Sequence, residues 1–270
     1  MKKSAITGLA VGVLLAAGAS VPAMAVDSGK SDLSVLHGIP GLTVDVYVNG
    51  VNTLNDFTPG TLAGPLSLEP GVYTVAITAS DAVDDSAPVL GPIDVTLAAD
   101  MSYTAVAHLD AAAAPTVSLF TNDISATAAG EGRLTVRHVA AAPAVDILAN
   151  GSAAFTSLEN PDEVMADLPV NTYSAAVALA GTTDPVIGPA DVTLVEGVNT
   201  IVYAWGSAGD ENLALAVQTV NTHQGAPSGV AAGSAPVSNG NSLPLGLIAI
   251  AVLSLAGAGV ATRVAITSRR

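Results

Sequence analysis

Alternating apolar and polar positions dominate the middle of this chain. Val44-Asp-Val-Tyr-Val48 and Val72-Tyr-Thr-Val-Ala-Ile77 are short, rich in β-branched and aromatic residues, and bounded by turn residues. That is the pattern of half-buried strands. Asn49-Gly50 and Asn150-Gly151 signal type I′ hairpins, because both central residues of that turn need positive φ. Gly71, Gly91-Pro92 and Gly188-Pro189 punctuate further strands. The alanine-rich composition favours helix by propensity, but alternation and turn spacing outweigh it between the two ends.

The ends follow a different pattern. Lys2 and Lys3 precede an apolar run from Ala5 to Ala19, and Ala23-Met24-Ala25 supplies a small-x-small cleavage pattern. Residues 1–25 therefore read as a signal peptide. Leu243 to Thr262 is a stretch of twenty residues without a charge, which as a helix spans about 30 Å, one bilayer core. Arg263, Arg269 and Arg270 follow it, so 243–262 reads as a transmembrane helix with a cytoplasmic tail, 263–270, and the body outside. Residues 222–242 are rich in Gly, Ser, Ala and Pro and read as a stalk; the 22 residues from Asn221 to Ser242, as random coil, span roughly 25 Å. Leu243-Pro244-Leu245-Gly246 sits where a wall-sorting signal would, but it lacks the Thr-Gly pair that a sortase cleaves. A retained membrane helix is the expectation.

The middle repeats itself. Leu33-Ser-Val35-Leu-His37 matches Leu134-Thr-Val136-Arg-His138. Val44-Asp45-Val46 with Asn49-Gly50 matches Val145-Asp146-Ile147 with Asn150-Gly151. Gly91-Pro-Ile-Asp-Val-Thr-Leu97 matches Gly188-Pro-Ala-Asp-Val-Thr-Leu194. The copies fall at 32–124 and 132–221, joined by Ser125 to Glu131. Each reads as about seven strands, and the fold class expected is all-β: two tandem Ig-like or transthyretin-like β-sandwich domains.

Charge narrows the function. Between residues 26 and 242 there are only three cations, Lys30, Arg133 and Arg137, against all 23 acids, a net −20. Such a surface repels polyanions, and no nucleic-acid partner is expected. With no cysteine, disulfides, zinc-thiolate sites and cysteine nucleophiles are excluded. Aromatics at 3% argue against a base- or sugar-stacking platform.

The segment Val136-Arg-His138-Val-Ala-Ala-Ala-Pro143-Ala-Val145-Asp146-Ile147, followed by Asn150-Gly151, resembles the opening motif of the bacterial domain of unknown function 4397 family. Val35-Leu-His37-Gly-Ile-Pro40 with Val44-Asp45-Val46 and Asn49-Gly50 resembles it too. The resemblance covers both copies. It implies an exported, sandwich-like surface domain, often in tandem, and the family name brings no activity with it.

Candidate chemistry centres on His37 with Asp45 and on His138 with Asp146. Each His ends one strand and each Asp lies near the start of the next. Antiparallel pairing of those strands would join imidazole to carboxylate, as a general base, as half a metal site, or as a bond that fixes the first loop. The structural role is favoured, because a third ligand or nucleophile is missing: His108 corresponds to Trp205 in the other copy. Asp81, Asp84 and Asp85 share a loop and are calcium candidates, although they lack the D-x-D-x-D-G spacing. No hydrolase or nucleotide-loop motif occurs.

These observations point to a non-enzymatic, membrane-anchored bacterial cell-surface protein without cofactors, serving as an envelope, adhesion or ligand-binding module. Its expected partners are the membrane, through the C-terminal helix, and a cell-wall or extracellular protein or glycan ligand. The alternatives are an envelope hydrolase or metal-dependent enzyme using a His/Asp pair, and a calcium-stabilised surface module.

Overall fold

The structure, a computed structural model, describes residues 29–222. The expected signal peptide, nearly all of the stalk, the transmembrane helix and the basic tail lie outside the described residues. The first eight strands are β1 (Ser31–His37), β2 (Val44–Val48), β3 (Val51–Phe57), β4 (Leu62–Leu68), β5 (Gly71–Ala79), β6 (Leu90–Leu97), β7 (Ser102–Leu109) and β8 (Pro115–Asn122). The next eight are β9 (Glu131–Ala141), β10 (Val145–Ala149), β11 (Ser152–Leu158), β12 (Glu163–Pro169), β13 (Thr172–Leu179), β14 (Pro185–Thr193), β15 (Val198–Ser207) and β16 (Ala214–Asn221). There is no helix among the described residues, and so none long and apolar enough to cross a membrane.

The strands form four four-stranded sheets, and the order repeats eight strands on. The first half has β4-β1-β7-β8 and β3-β2-β5-β6; the second has β12-β9-β15-β16 and β11-β10-β13-β14. Pairing is antiparallel except for β1 with β7 and β9 with β15. In each half the two sheets share a core and the packing is sandwich-like. Val35 and Ala107 of one sheet meet Val46, Val75, Ile77 and Val95 of the other. Leu134, Val136 and Val202 likewise meet Ile147, Val177 and Val192. Apolar residues two apart on a strand share a face, so alternation alone places these side chains inside.

Each half has eight strands rather than seven. The extra one is an edge strand of weak pattern. β3 is largely solvent-facing and β4 half-buried, and β4 carries Pro65, which an edge strand tolerates because it has no N–H to contribute to a ladder.

The two hairpin turns have the expected geometry. Asn49 and Gly50 have φ of 52° and 78°, and Asn150 and Gly151 have 51° and 80°. Asparagine does more here than accept a left-handed backbone. Asn49 Oδ1 takes the N–H of Thr74 at 2.9 Å, and Asn150 Oδ1 takes that of Ser174 at 3.1 Å. Each turn is thereby tied to the neighbouring central strand, β5 or β13.

Candidate functional site: two inter-sheet cavities and a buried junction

The expected His–Asp pairs do not form. His37 ends β1 and Asp45 is the second residue of β2, but these strands belong to opposite sheets, so the connection crosses the core instead of making a hairpin. His37 Nε2 donates to Leu42 O at 2.7 Å, and its ring stacks on Phe57 with centroids 5.8 Å apart. His138 Nε2 donates to Pro143 O at 3.1 Å. Each imidazole holds the loop that leaves its strand. Burial lowers the pKa of both rings, only partly offset by these backbone bonds, so both are neutral near pH 7.

The aspartates serve a different element. Asp45 Oδ1 accepts the N–H of Asp56 at 2.8 Å, and Oδ2 accepts Asn52 Nδ2 at 3.1 Å. Asp146 Oδ1 accepts the N–H of Ser157 at 2.8 Å, and Oδ2 that of Gly181 at 2.8 Å. Asp56 and Ser157 have φ of 50° and 58° and lie where the hairpin register shifts. The carboxylate satisfies an N–H that the bulge removes from the ladder.

Asp81, Asp84 and Asp85 lie in the loop between β5 and β6. Asp84 turns back on its own loop and accepts Ser86 N at 3.0 Å; its bonds to Ser86 lower its pKa. Among the described residues no three acidic or histidine side chains converge as a metal group.

Two features were missed at the sequence level. The first is a polar junction between the halves. Arg137 is 1% exposed. Its Nε meets Glu163 Oε2 at 2.7 Å, and its Nη1 donates to Asn122 Oδ1 at 3.0 Å and Tyr203 Oη at 2.8 Å. Its guanidinium lies 4.4 Å from the centroid of the Phe120 ring. Gln218 Oε1 accepts from Tyr203 Oη at 2.6 Å and from Thr104 Oγ1 at 3.0 Å. Around this network Leu36 and Val106 of the first half pack on Val139, Ile201 and Tyr203 of the second. Arg133 clamps the linker, binding Asp167 through Nε at 2.7 Å and Nη2 at 2.9 Å, and Asp123 through Nη1 at 2.9 Å. Trp205 is part of this junction: a Cβ on Gly60 would lie 2.7 Å from its ring.

The second feature is a cavity between the sheets of each half. The one in the first half is about 300 Å³, lined by Val35, Val46, Leu66, Tyr73, Val75 and Ala105 among others. Its rim is the β2–β3 hairpin, with Asn49, Thr53 and the exposed Val51.

Residues 31–148 match the model of the family described as a domain of unknown function, DUF4397. Over that span the chain is similar to the DUF4397 family. The match runs from β1 through β10, so it takes in His37, Asp45, His138, Asp146 and the whole first cavity. Comparison with curated proteins finds no match. The second cavity straddles the end of the DUF4397 span. It measures about 310 Å³ and is lined by Leu134, Ile147, Phe155, Ala166, Ala175 and Val202 among others.

Proposed function

We propose that this chain is a non-enzymatic, membrane-tethered bacterial surface protein. Residues 1–25 direct export, 243–262 hold the chain in the membrane, and 222–242 lift the body from it. The body consists of two tandem Ig-like or transthyretin-like sandwich domains, 32–124 and 132–221, acting as an envelope, adhesion or ligand-binding module. Its partners are the membrane and an extracellular ligand.

The observation that supports this reading best is what the buried polar groups do. His37 and His138 hold loop carbonyls, Asp45 and Asp146 hold bulge N–H groups, and Arg133 and Arg137 join the halves. Groups that could do acid–base chemistry are engaged in folding, which favours binding over turnover. The surface is anionic: of the three cations among the described residues, Arg133 and Arg137 are buried and Lys30, partly exposed, pairs with Glu69. That favours display in solvent over docking on an anionic headgroup layer.

Protease treatment of intact cells tests the proposal. External protease should cleave in 222–242 and release the body, while a tag after Arg270 stays protected. Recovery of the intact chain from the cytosol would overturn it.

A further inference from the structure

We propose that each half binds one neutral aliphatic chain of about ten carbons between its two sheets. Protein interiors rarely leave voids larger than a water molecule. Here cavities of about 300 and 310 Å³ lie at equivalent positions in the two halves. Their linings differ in a compensating way. Strand pairing sets Leu66, Val75 and Ala105 of the first half against Ala166, Ala175 and Val202 of the second. Two positions lose volume and one gains it, while Leu54 in the first lining gives way to Phe155 in the second. Side chains change in size, yet the space is kept.

The lining sets the chemistry. It is apolar in both halves except at the rim, where Asn49 and Thr53 stand in one and Asn150 in the other. Tyr73 and Tyr173 send their hydroxyls to Glu69 O and Pro169 O, at 2.7 and 2.9 Å, so only ring carbon faces inward. An apolar cavity of about 150 Å³ takes up benzene; twice that space fits a chain of about ten carbons. Asn49 and Asn150 use their side-chain oxygens on β5 and β13, which leaves each Nδ2 as a donor at the rim. A hydroxyl or ester carbonyl at the end of the chain would meet it. A carboxylate is disfavoured: the described body holds three cations against 22 acids, and Asp85 Oδ2 would lie 3.7 Å from a Cβ on Gly50 at the first rim.

The proposal needs neither the anchor nor export, so it can fail independently of the function proposed above. The test is photolabelling of the full chain in lipid nanodiscs with a decanol that carries an aliphatic diazirine. Adducts are mapped by mass spectrometry and competed with unlabelled decanol. Competable adducts are expected in both halves, within β2–β4 and β10–β12. Ala105→Phe should lower labelling of the first half roughly tenfold and leave the second unchanged, and Ala175→Phe should do the reverse. Loss in both halves from one substitution signals unfolding; Leu66→Phe and Ala166→Phe, on edge strands, then make the comparison. A diazirine placed in a phospholipid tail distinguishes a membrane-derived chain from a free alcohol, and capture of either supports the proposal. Labelling that is not competed, or that ignores the phenylalanines, overturns it.

Discussion

The inner faces of the two halves are apolar alike, whereas the outer faces of their β1 and β9 sheets differ in character. Inside, Val35 and Val136, Val46 and Ile147, and Ile77 and Val177 differ by a methylene or less. Outside, register sets Leu36 against Arg137, Val106 against Tyr203, His108 against Trp205 and Phe120 against Gln218. The inner positions answer to one fold. The outer positions answer to each other, because these two faces form the junction. A pair of identical halves would have met through identical surfaces; this pair has become complementary, with the guanidinium on one side and its ring and amide partners on the other.

The largest effect should come from erasing that difference. Arg137→Leu installs the residue of the other half. It leaves Asn122, Tyr203 and Glu163 without their shared partner. Breaking a buried pair from one side costs about 3–5 kcal/mol, and the partial exposure of Glu163 puts the expectation at the lower end. Urea unfolding measures it; a loss under about 0.5 kcal/mol would mean the junction is ordinary surface.

Acid should act next. Burial lowers the pKa of His37, His108 and His138 below the ordinary 6.5. A base whose folded pKa lies below its unfolded one takes up protons more readily when unfolded. Its contribution is therefore complete above pH 6.5 and is lost as pH falls from there toward the folded value. Each ring should remove up to about 1.4 kcal/mol per pH unit in that window. Urea midpoints at pH 7.5 and 5.5 should differ, with His37→Gln and His138→Gln each flattening the slope. A midpoint constant over this range would show that the imidazoles are already charged or freely solvated.

What was legible beforehand follows the same division. The strands, the Asn-Gly turns and the repeat depend on local pattern and on inner-face apolarity, which recur visibly along the chain. The His–Asp expectation failed because both residues were placed correctly on their strands but the sheet assignment was not; that depends on a crossing over the core which short-range spacing does not reveal. The junction left one trace. Arg133 and Arg137 are the only arginines between residues 26 and 242, and they lie four apart on one face of a strand. The cavities left none, since they arise from the summed volumes of side chains on seven strands in the first half and eight in the second.

The aspartates sharpen the comparison at intermediate size. Asp146 satisfies two backbone N–H groups and Asp45 only one, with a side-chain amide on its other oxygen. Stranding a buried donor costs about 1–3 kcal/mol, and a part-buried one such as the Gly181 N–H sits at the low end. Asp146→Ala should therefore destabilise more than Asp45→Ala, by about 1 kcal/mol. Equal losses would show that the Asn52 contact counts as much as the Gly181 one.

The smallest test isolates Trp205 from backbone strain. Gly60 has φ of 78° and Gly41 has 74°, so alanine at either position carries the left-handed penalty of about 1–2 kcal/mol. Only at Gly60 does the new Cβ meet a side chain, the Trp205 ring at 2.7 Å; around Gly41 nothing lies within 4 Å. Gly60→Ala should thus cost more than Gly41→Ala. Trp205→His, the residue of the first half, should recover the excess in a double-mutant cycle, with a coupling of about 0.5–1 kcal/mol. If the two alanines cost the same, Trp205 does not bear on the β3–β4 turn, and the junction ends at Arg137 and its apolar surround.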